Sequence, residues 1–186
     1  MRLENEQCVI DIAIDEGYII NSTDNKPYDV VLMPDTKSDD FYKTLAINVF
    51  SSKSKISIAL IGDYYSYDQD CACLSMNILT VLQNHAIIQI DTTSGNLLSF
   101  KEIECYGCNF SIHEIANGYI IYGEEEITML DCKFNKKWSF SGKDIFVSIS
   151  GKTPFEICGN TICLFDFLDN YYELDFNGQQ VNCHTK

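Results

Sequence analysis

The chain has 186 residues, 46% of them apolar and 22% charged, and 13 basic against 27 acidic side chains give a net charge of −14. This composition excludes long-range disorder and collagen-like structure and fits a single domain, 1–186, with a core of its own. The charge argues against nucleic acid and anionic membrane surfaces, which recruit clustered lysine and arginine, and leaves a basic protein partner or plain solubility as its meaning. Met1 to Gln7 are polar and acidic, with no basic stretch running into an apolar one, so a cytoplasmic location is expected. No apolar run, Ile56 to Ile61 included, approaches the roughly 20 residues of a spanning helix.

No stretch keeps an apolar face at helical spacing, and short β-rich runs occur throughout. In chain order the expected strands are Val9–Ile14, Tyr18–Ile20, Val30–Met33, Leu45–Phe50, Ile56–Ile61, Ile78–Leu82, Ala86–Ile90, Tyr119–Tyr122, Ile127–Leu130, Trp138–Phe140, Ile145–Ile149, Thr161–Phe165 and Tyr171–Asp175. Asp39–Lys43 is read as a short helical turn. Between the strands lie Ser94-Gly95-Asn96, Asn117-Gly118, Phe134-Asn135, Gly159-Asn160 and Asn177-Gly178, residues that favour tight turns. Many short strands at this spacing mean an all-β sandwich, barrel or propeller.

A repeat narrows that choice. Asn77, Asn117 and Asn160 each precede an apolar strand, and an aspartate closes the next strand 14, 14 and 15 residues later, at Asp91, Asp131 and Asp175. The period is 40 and then 43 residues. A turn follows each aspartate, and an apolar residue, Leu97, Trp138 or Val181, then re-enters the sheet. The carboxylate is suited to accept turn N–H groups, and the glycine or asparagine to adopt positive φ.

A period of 40–45 with four strands per unit, and the order strand, Asp, turn, Leu/Trp/Val, resembles the blade repeat of PQQ-type and WD40-type β-propellers. The resemblance covers roughly residues 75–181; no WD dipeptide closes a strand, and Trp138 is the only tryptophan. It implies an all-β, propeller-like fold of about four blade-type units, with clearest repeats 75–110, 111–153 and 154–183, and a β-sandwich as the alternative. Gly17-Tyr18-Ile19-Ile20 echoes Gly118-Tyr119-Ile120-Ile121, so a first, irregular unit with an insertion of about 20 residues is expected before Asn77. Four units would close alone as a monomer or be completed by a second copy in a homodimer.

The most unusual segment is Asp63-Tyr64-Tyr65-Ser66-Tyr67-Asp68-Gln69-Asp70. It lacks the glycine and bidentate glutamate of a calcium loop. As a binding surface, Tyr64, Tyr65 and Tyr67 would supply contact area, while Asp63, Asp68 and Asp70 would select a basic partner. Asp35–Asp40 and Glu124-Glu125-Glu126 add acidic loop charge.

Nine cysteines, an odd number without an export signal, read mainly as reduced, buried thiols. Cys71 and Cys73 with Cys105 and Cys108 are the one set that could make a zinc tetrahedron, though Cys-x-Cys is not knuckle spacing. No cofactor is expected. Nucleophilic catalysis has no motif; Cys108 with His113 would be a dyad without an orienting group, and His113 reads as a satisfied strand histidine. Ser150-Gly151-Lys152-Thr153 is no phosphate loop, because Phe146 stands where its first glycine belongs. The functional expectation is therefore a non-catalytic interaction module facing a basic partner, in one form a bacterial immunity-type protein that neutralises a basic toxin. The alternatives are a ligand-binding or enzymatic propeller with a site near Asp91, Asp131 and Asp175, and a zinc-stabilised structural protein.

Overall fold

The computed structural model describes residues 1–35, 42–52, 54–65 and 70–184. Among these residues there is no helix, and the chain divides into two compact units, Met1–Glu102 and Ile103–Lys186.

The first unit opens with β1 (Arg2–Glu4), β2 (Cys8–Ile14), β3 (Val30–Leu32), β4 (Lys43–Ser51) and β5 (Lys55–Gly62), in the order β1-β2-β4-β5-β3. All neighbours are antiparallel except β3, which runs parallel to β5. Strict alternation explains β2: Cys8, Ile10 and Ile12 are buried on one face, while Val9, Asp11 and Ala13 turn to the other. A four-stranded meander follows, β6 (Ala72–Ser75), β7 (Ile78–Gln83), β8 (Ala86–Asp91) and β9 (Leu97–Glu102). Ile10, Ile12, Leu45, Ile47 and Leu60 of the first sheet share one core with Leu79, Val81, Ile88 and Ile90 of the second. Each such side chain contributes roughly 1.5–3 kcal/mol on burial, which is why both sheets keep their register.

The second unit holds two more meanders. The first is β10 (Asn109–Ile115), β11 (Gly118–Gly123), β12 (Ile127–Asp131) and β13 (Lys136–Phe140); the second is β14 (Phe155–Cys158), β15 (Thr161–Phe165), β16 (Tyr171–Asp175) and β17 (Gln180–His184). Ile120, Ile127 and Met129 of one sheet form a core with Phe155, Ile162, Leu164 and Leu174 of the other. The sheets differ in cover. Nearly every residue of β11 and β12 is buried, whereas β15 and β16 bury only alternate residues.

Two expected strands are not strands. Tyr18–Ile20 lies in a turn: Asp15 accepts the Gly17 amide, Asn25 holds both the N–H and the C=O of Ile19, and the Ile19 and Ile20 side chains are exposed. The echo of Gly118–Ile121 is therefore not a blade strand, although the first sheet is irregular as expected. Ile145–Ile149 is a connecting segment whose Phe146 is fully buried while Ile149 is 79% exposed. Its backbone is tied sideways: Phe146 donates to Glu124 O at 2.6 Å, and the Tyr122 hydroxyl donates to Phe146 O at 2.6 Å. Of its four apolar residues only Phe146 is fully buried, so the strand-like pattern marks one ring inserted in the core. The expected helical turn at Asp39–Lys43 falls mostly outside the described residues; Lys43 itself begins β4.

Candidate interaction surface and the acid-capped bends

The acidic, tyrosine-bearing segment connects β5 to β6, and the structure separates its residues. Tyr65 is 52% exposed and Asp70 is exposed, with a positive φ of 62°. Asp63 is half-buried and fixes the loop base by accepting the Asn84 side-chain amide at 3.1 Å, while its carbonyl takes the Asn84 N–H at 2.9 Å. Tyr64 does not belong to the surface. It is 2% exposed, its hydroxyl donates to Leu60 O at 3.2 Å, and it accepts Gln83 Nε2 at 2.7 Å. Burial pushes its phenol well above the ordinary value. A ring placed this way supports the loop from below and offers nothing to a partner. Tyr67 and Asp68 lie outside the described residues, as does most of Asp35–Asp40.

The run Glu124-Glu125-Glu126 is also divided. Glu126 is 4% exposed and forms an ion pair with Lys136 on β13, whose Nζ lies 3.1 and 3.3 Å from its two oxygens and also donates to Glu104 O at 3.0 Å. The Tyr106 amide adds a bond to the same carboxylate at 3.0 Å. Only Glu124 and Glu125 remain as loop charge. The sequence signal for this pair was an acid at the head of the buried run Ile127–Leu130, where an unpaired charge would be costly.

The three repeat aspartates occupy matching positions. Asp131 Oδ1 accepts the N–H groups of Lys133 at 2.8 Å and Asn135 at 2.9 Å; Asp175 Oδ1 accepts those of Asn177 at 2.9 Å and Gln179 at 2.8 Å. Asp91, in a bend one residue longer, accepts those of Thr93 at 2.8 Å and Ser94 at 2.9 Å. In every case the pairing with the fourth strand shifts register just before the aspartate. A fourth bend of this kind, missed in the sequence, joins β15 to β16: Asp166 Oδ1 accepts Leu168 N at 3.0 Å and Asn170 N at 2.9 Å. Its signal was present, since Asp166 and Asn170 stand four residues apart like Asp131 and Asn135. The bonds hold all four carboxyls below the ordinary aspartate value. The largest contribution is the Thr93 hydroxyl for Asp91, the Asn135 amide for Asp131 and the Gln179 amide for Asp175. At Asp166 burial pushes the other way and is outweighed by Asn170 and Tyr172. These carboxylates are hairpin supports with their oxygens engaged.

Beside two of the bends lies a half-open cavity of about 500 Å³, lined by Asn117, Met129, Asp131, Lys137, Trp138 and Phe176 among others. The Trp138 indole donates to Phe176 O at 3.1 Å. Gly178 lies against its ring so closely that a Cβ there would sit 2.7 Å from the indole.

Cys71 is buried, Cys73, Cys105 and Cys108 are half-buried, and among the described residues no three histidine, cysteine, aspartate or glutamate side chains are grouped to hold a metal. Burial pushes the Cys105 thiol up, consistent with a protonated side chain packed in place. His113 bonds Ser111 Oγ at 2.7 Å and packs on Phe155 with ring centroids 4.9 Å apart, the arrangement of a satisfied strand histidine.

No protein-family model matches the chain, and no curated protein matches it. Among solved structures it is similar to BamB from Moraxella catarrhalis, at 13% identity and a TM-score of 0.51 over 78% of this chain and 46% of that one. It is similar also to the computationally designed Ika8 protein, at 11% identity and 0.52 over 80% and 47%, and to the dihydro-heme d1 dehydrogenase NirN in complex with DHE, at 13% identity and 0.50 over 77% and 35%. The chain thus spans less than half the length of the solved structures it matches. Likeness at these identities speaks to fold alone, and with the repeated meanders and their shared bends it makes the chain all-β and propeller-like, not a β-sandwich.

Proposed function

We propose that this chain is a propeller-type protein-interaction scaffold that meets a basic partner through the β5–β6 loop. The observation that carries the reading is the exposed Tyr65 with Asp63 and Asp70 on a chain of net charge −14. An aromatic ring supplies contact area at small entropic cost, and the acidic field steers a cationic protein towards it. The finer version is a cytoplasmic immunity-type protein that neutralises a basic toxin such as a nuclease. The test is capture from lysate on the immobilised chain at low and at physiological salt. Basic partners that are retained at low salt, weaken as salt rises and are lost with Tyr65→Ala/Asp70→Asn support the reading. Capture that is insensitive to salt or to both substitutions contradicts it.

The cavity beside Trp138 favours a second reading, a site for a small ligand. Asp131 is committed to its bend, so Lys137 and Asn117 would supply the polar contacts, and Trp138 and Met129 the apolar ones. A ligand found by screening that is lost in Lys137→Ala at unchanged melting temperature would support this reading. Loss only in Asp131→Ala at unchanged melting temperature would instead return the role to the carboxylate.

A further inference from the structure

At the cavity beside Trp138 one copy of the repeat departs from its siblings. In each meander the register shift leaves an extra residue in the fourth strand: Leu98 in β9, Lys137 in β13 and Val181 in β17. Leu98 and Val181 are aliphatic and 50% and 56% exposed, whereas the second meander carries a cation there. At the next position Ser99 pairs with Gln89 and Asn182 with Glu173, but Trp138 pairs with Met129. The same copy also releases an amide. Asn77 donates its side-chain amide to Asp91 Oδ2 at 3.0 Å. Its counterpart Asn117 makes no such bond, because Asp131 Oδ2 accepts the Asn135 side-chain amide at 3.1 Å instead. Both Lys137 and Asn117 line the cavity. Among the described residues Lys137 enters no ion pair, while Arg2, Lys26, Lys136 and Lys152 each lie 3.0–3.6 Å from a carboxylate oxygen.

We propose that the cavity takes an aromatic monocarboxylate, its flat ring against Trp138, Met129 and Phe176 and its carboxylate at Lys137 and Asn117; this rests on the second reading above, that the cavity is a small-ligand site. The volume of about 500 Å³ is that of a small-molecule site. The ligand's charge follows from which polar groups are already spent. Asp131 Oδ1 accepts the Lys133 and Asn135 N–H groups, and Asn177 donates its side-chain amide to Asp175 Oδ2 at 3.3 Å. The donors left are the Lys137 ammonium and the Asn117 amide, a charged and a neutral group that one carboxylate can accept together. The wall is set before a ligand arrives. The Trp138 indole N–H is held by Phe176 O at 3.1 Å, and Gly178 packs on its ring, so little side-chain freedom is lost on binding. A net charge of −14 opposes anions over the chain as a whole, so a single negative charge suits this site better than the two of a phosphate.

Trp138 is the only tryptophan, so its indole N–H gives a single cross-peak in a proton–nitrogen NMR spectrum and reports from the cavity wall. The experiment titrates the whole chain with naphthalene carboxylate and, separately, with naphthalene carboxamide, the same ring without the charge. The carboxylate should shift the peak saturably and bind about tenfold tighter than the carboxamide. Lys137→Gln should abolish that preference at unchanged melting temperature, and Lys137→Arg should keep it. Equal binding of the two probes to the unaltered chain would overturn the proposal and leave the small-ligand site standing. A peak moved by neither probe would overturn both. A carboxylate preference that survives Lys137→Gln would also overturn the proposal, since the charge would then be read elsewhere.

Discussion

Asp131 and Asp175 at the surface and Asp166 in the interior make the same pair of backbone hydrogen bonds, yet they stand in unlike settings. Each of the first two carboxylates also accepts an asparagine side-chain amide. Asp166 has no exposed surface and also accepts the Tyr172 hydroxyl at 2.8 Å and the Asn170 side-chain amide at 2.8 Å. The bend is thus a local structure dictated by an aspartate, three intervening residues and the chain's return. Its worth to the fold is set by what surrounds it. Removing a surface cap leaves N–H groups that water satisfies, whereas removing Asp166 strands buried donors.

The sharpest way to break the comparison is Asp166→Ala. It should destabilise by about 2–4 kcal/mol in urea denaturation, because the Tyr172 hydroxyl and the Asn170 N–H lose their acceptor out of reach of water. A loss no larger than that of the surface bends would show that the interior bend is not buried in solution. Next in size is Gly178→Ala, expected to cost about 1–3 kcal/mol, since φ is 79° and the added methyl meets Trp138. The corresponding residue of the β12–β13 bend sharpens this point. Phe134 adopts φ of 60° with a side chain because its ring has a home, 5% exposed and centred 5.1 Å from Tyr119. Asp131→Ala and Asp175→Ala should lower the melting temperature by less than either. Smallest is the shared pH response. Carboxyls held below the ordinary value of 3.8 stabilise the fold fully above that value and lose their contribution as pH falls through the lower folded-state values. Stability should therefore fall below about pH 4, and Asp131→Ala/Asp175→Ala should flatten that fall.

Much of this architecture could be read from residues alone, for physical reasons that also mark where reading stops. The second and third strands of each meander, such as Ile78–Gln83 and Ile127–Asp131, are buried and therefore apolar, and aspartate with glycine or asparagine records a bend by local chemistry. Outer strands carry no such signature. β9 buries none of its side chains fully, β17 exposes Gln180, Val181 and Asn182, and β10 mixes Asn109, Ser111 and His113 with apolar residues, so pairing partners and not composition define them. The interaction loop shows the same limit. Adjacent Tyr64 and Tyr65 are chemically equivalent in the sequence, and only the buried Gln83 amide beneath the loop decides that one is core and the other surface.

The measurement that bears most directly on the repeated, acid-capped bend is an NMR titration of the aspartate side-chain carboxyl carbons of the whole chain. Asp91, Asp131, Asp166 and Asp175 should all titrate below 3.8, each losing protection of the amides that its carboxylate holds as it protonates. Midpoints at the ordinary value, or amide protection unaffected by protonation, would contradict a common bend and with it the equivalence of the three meanders.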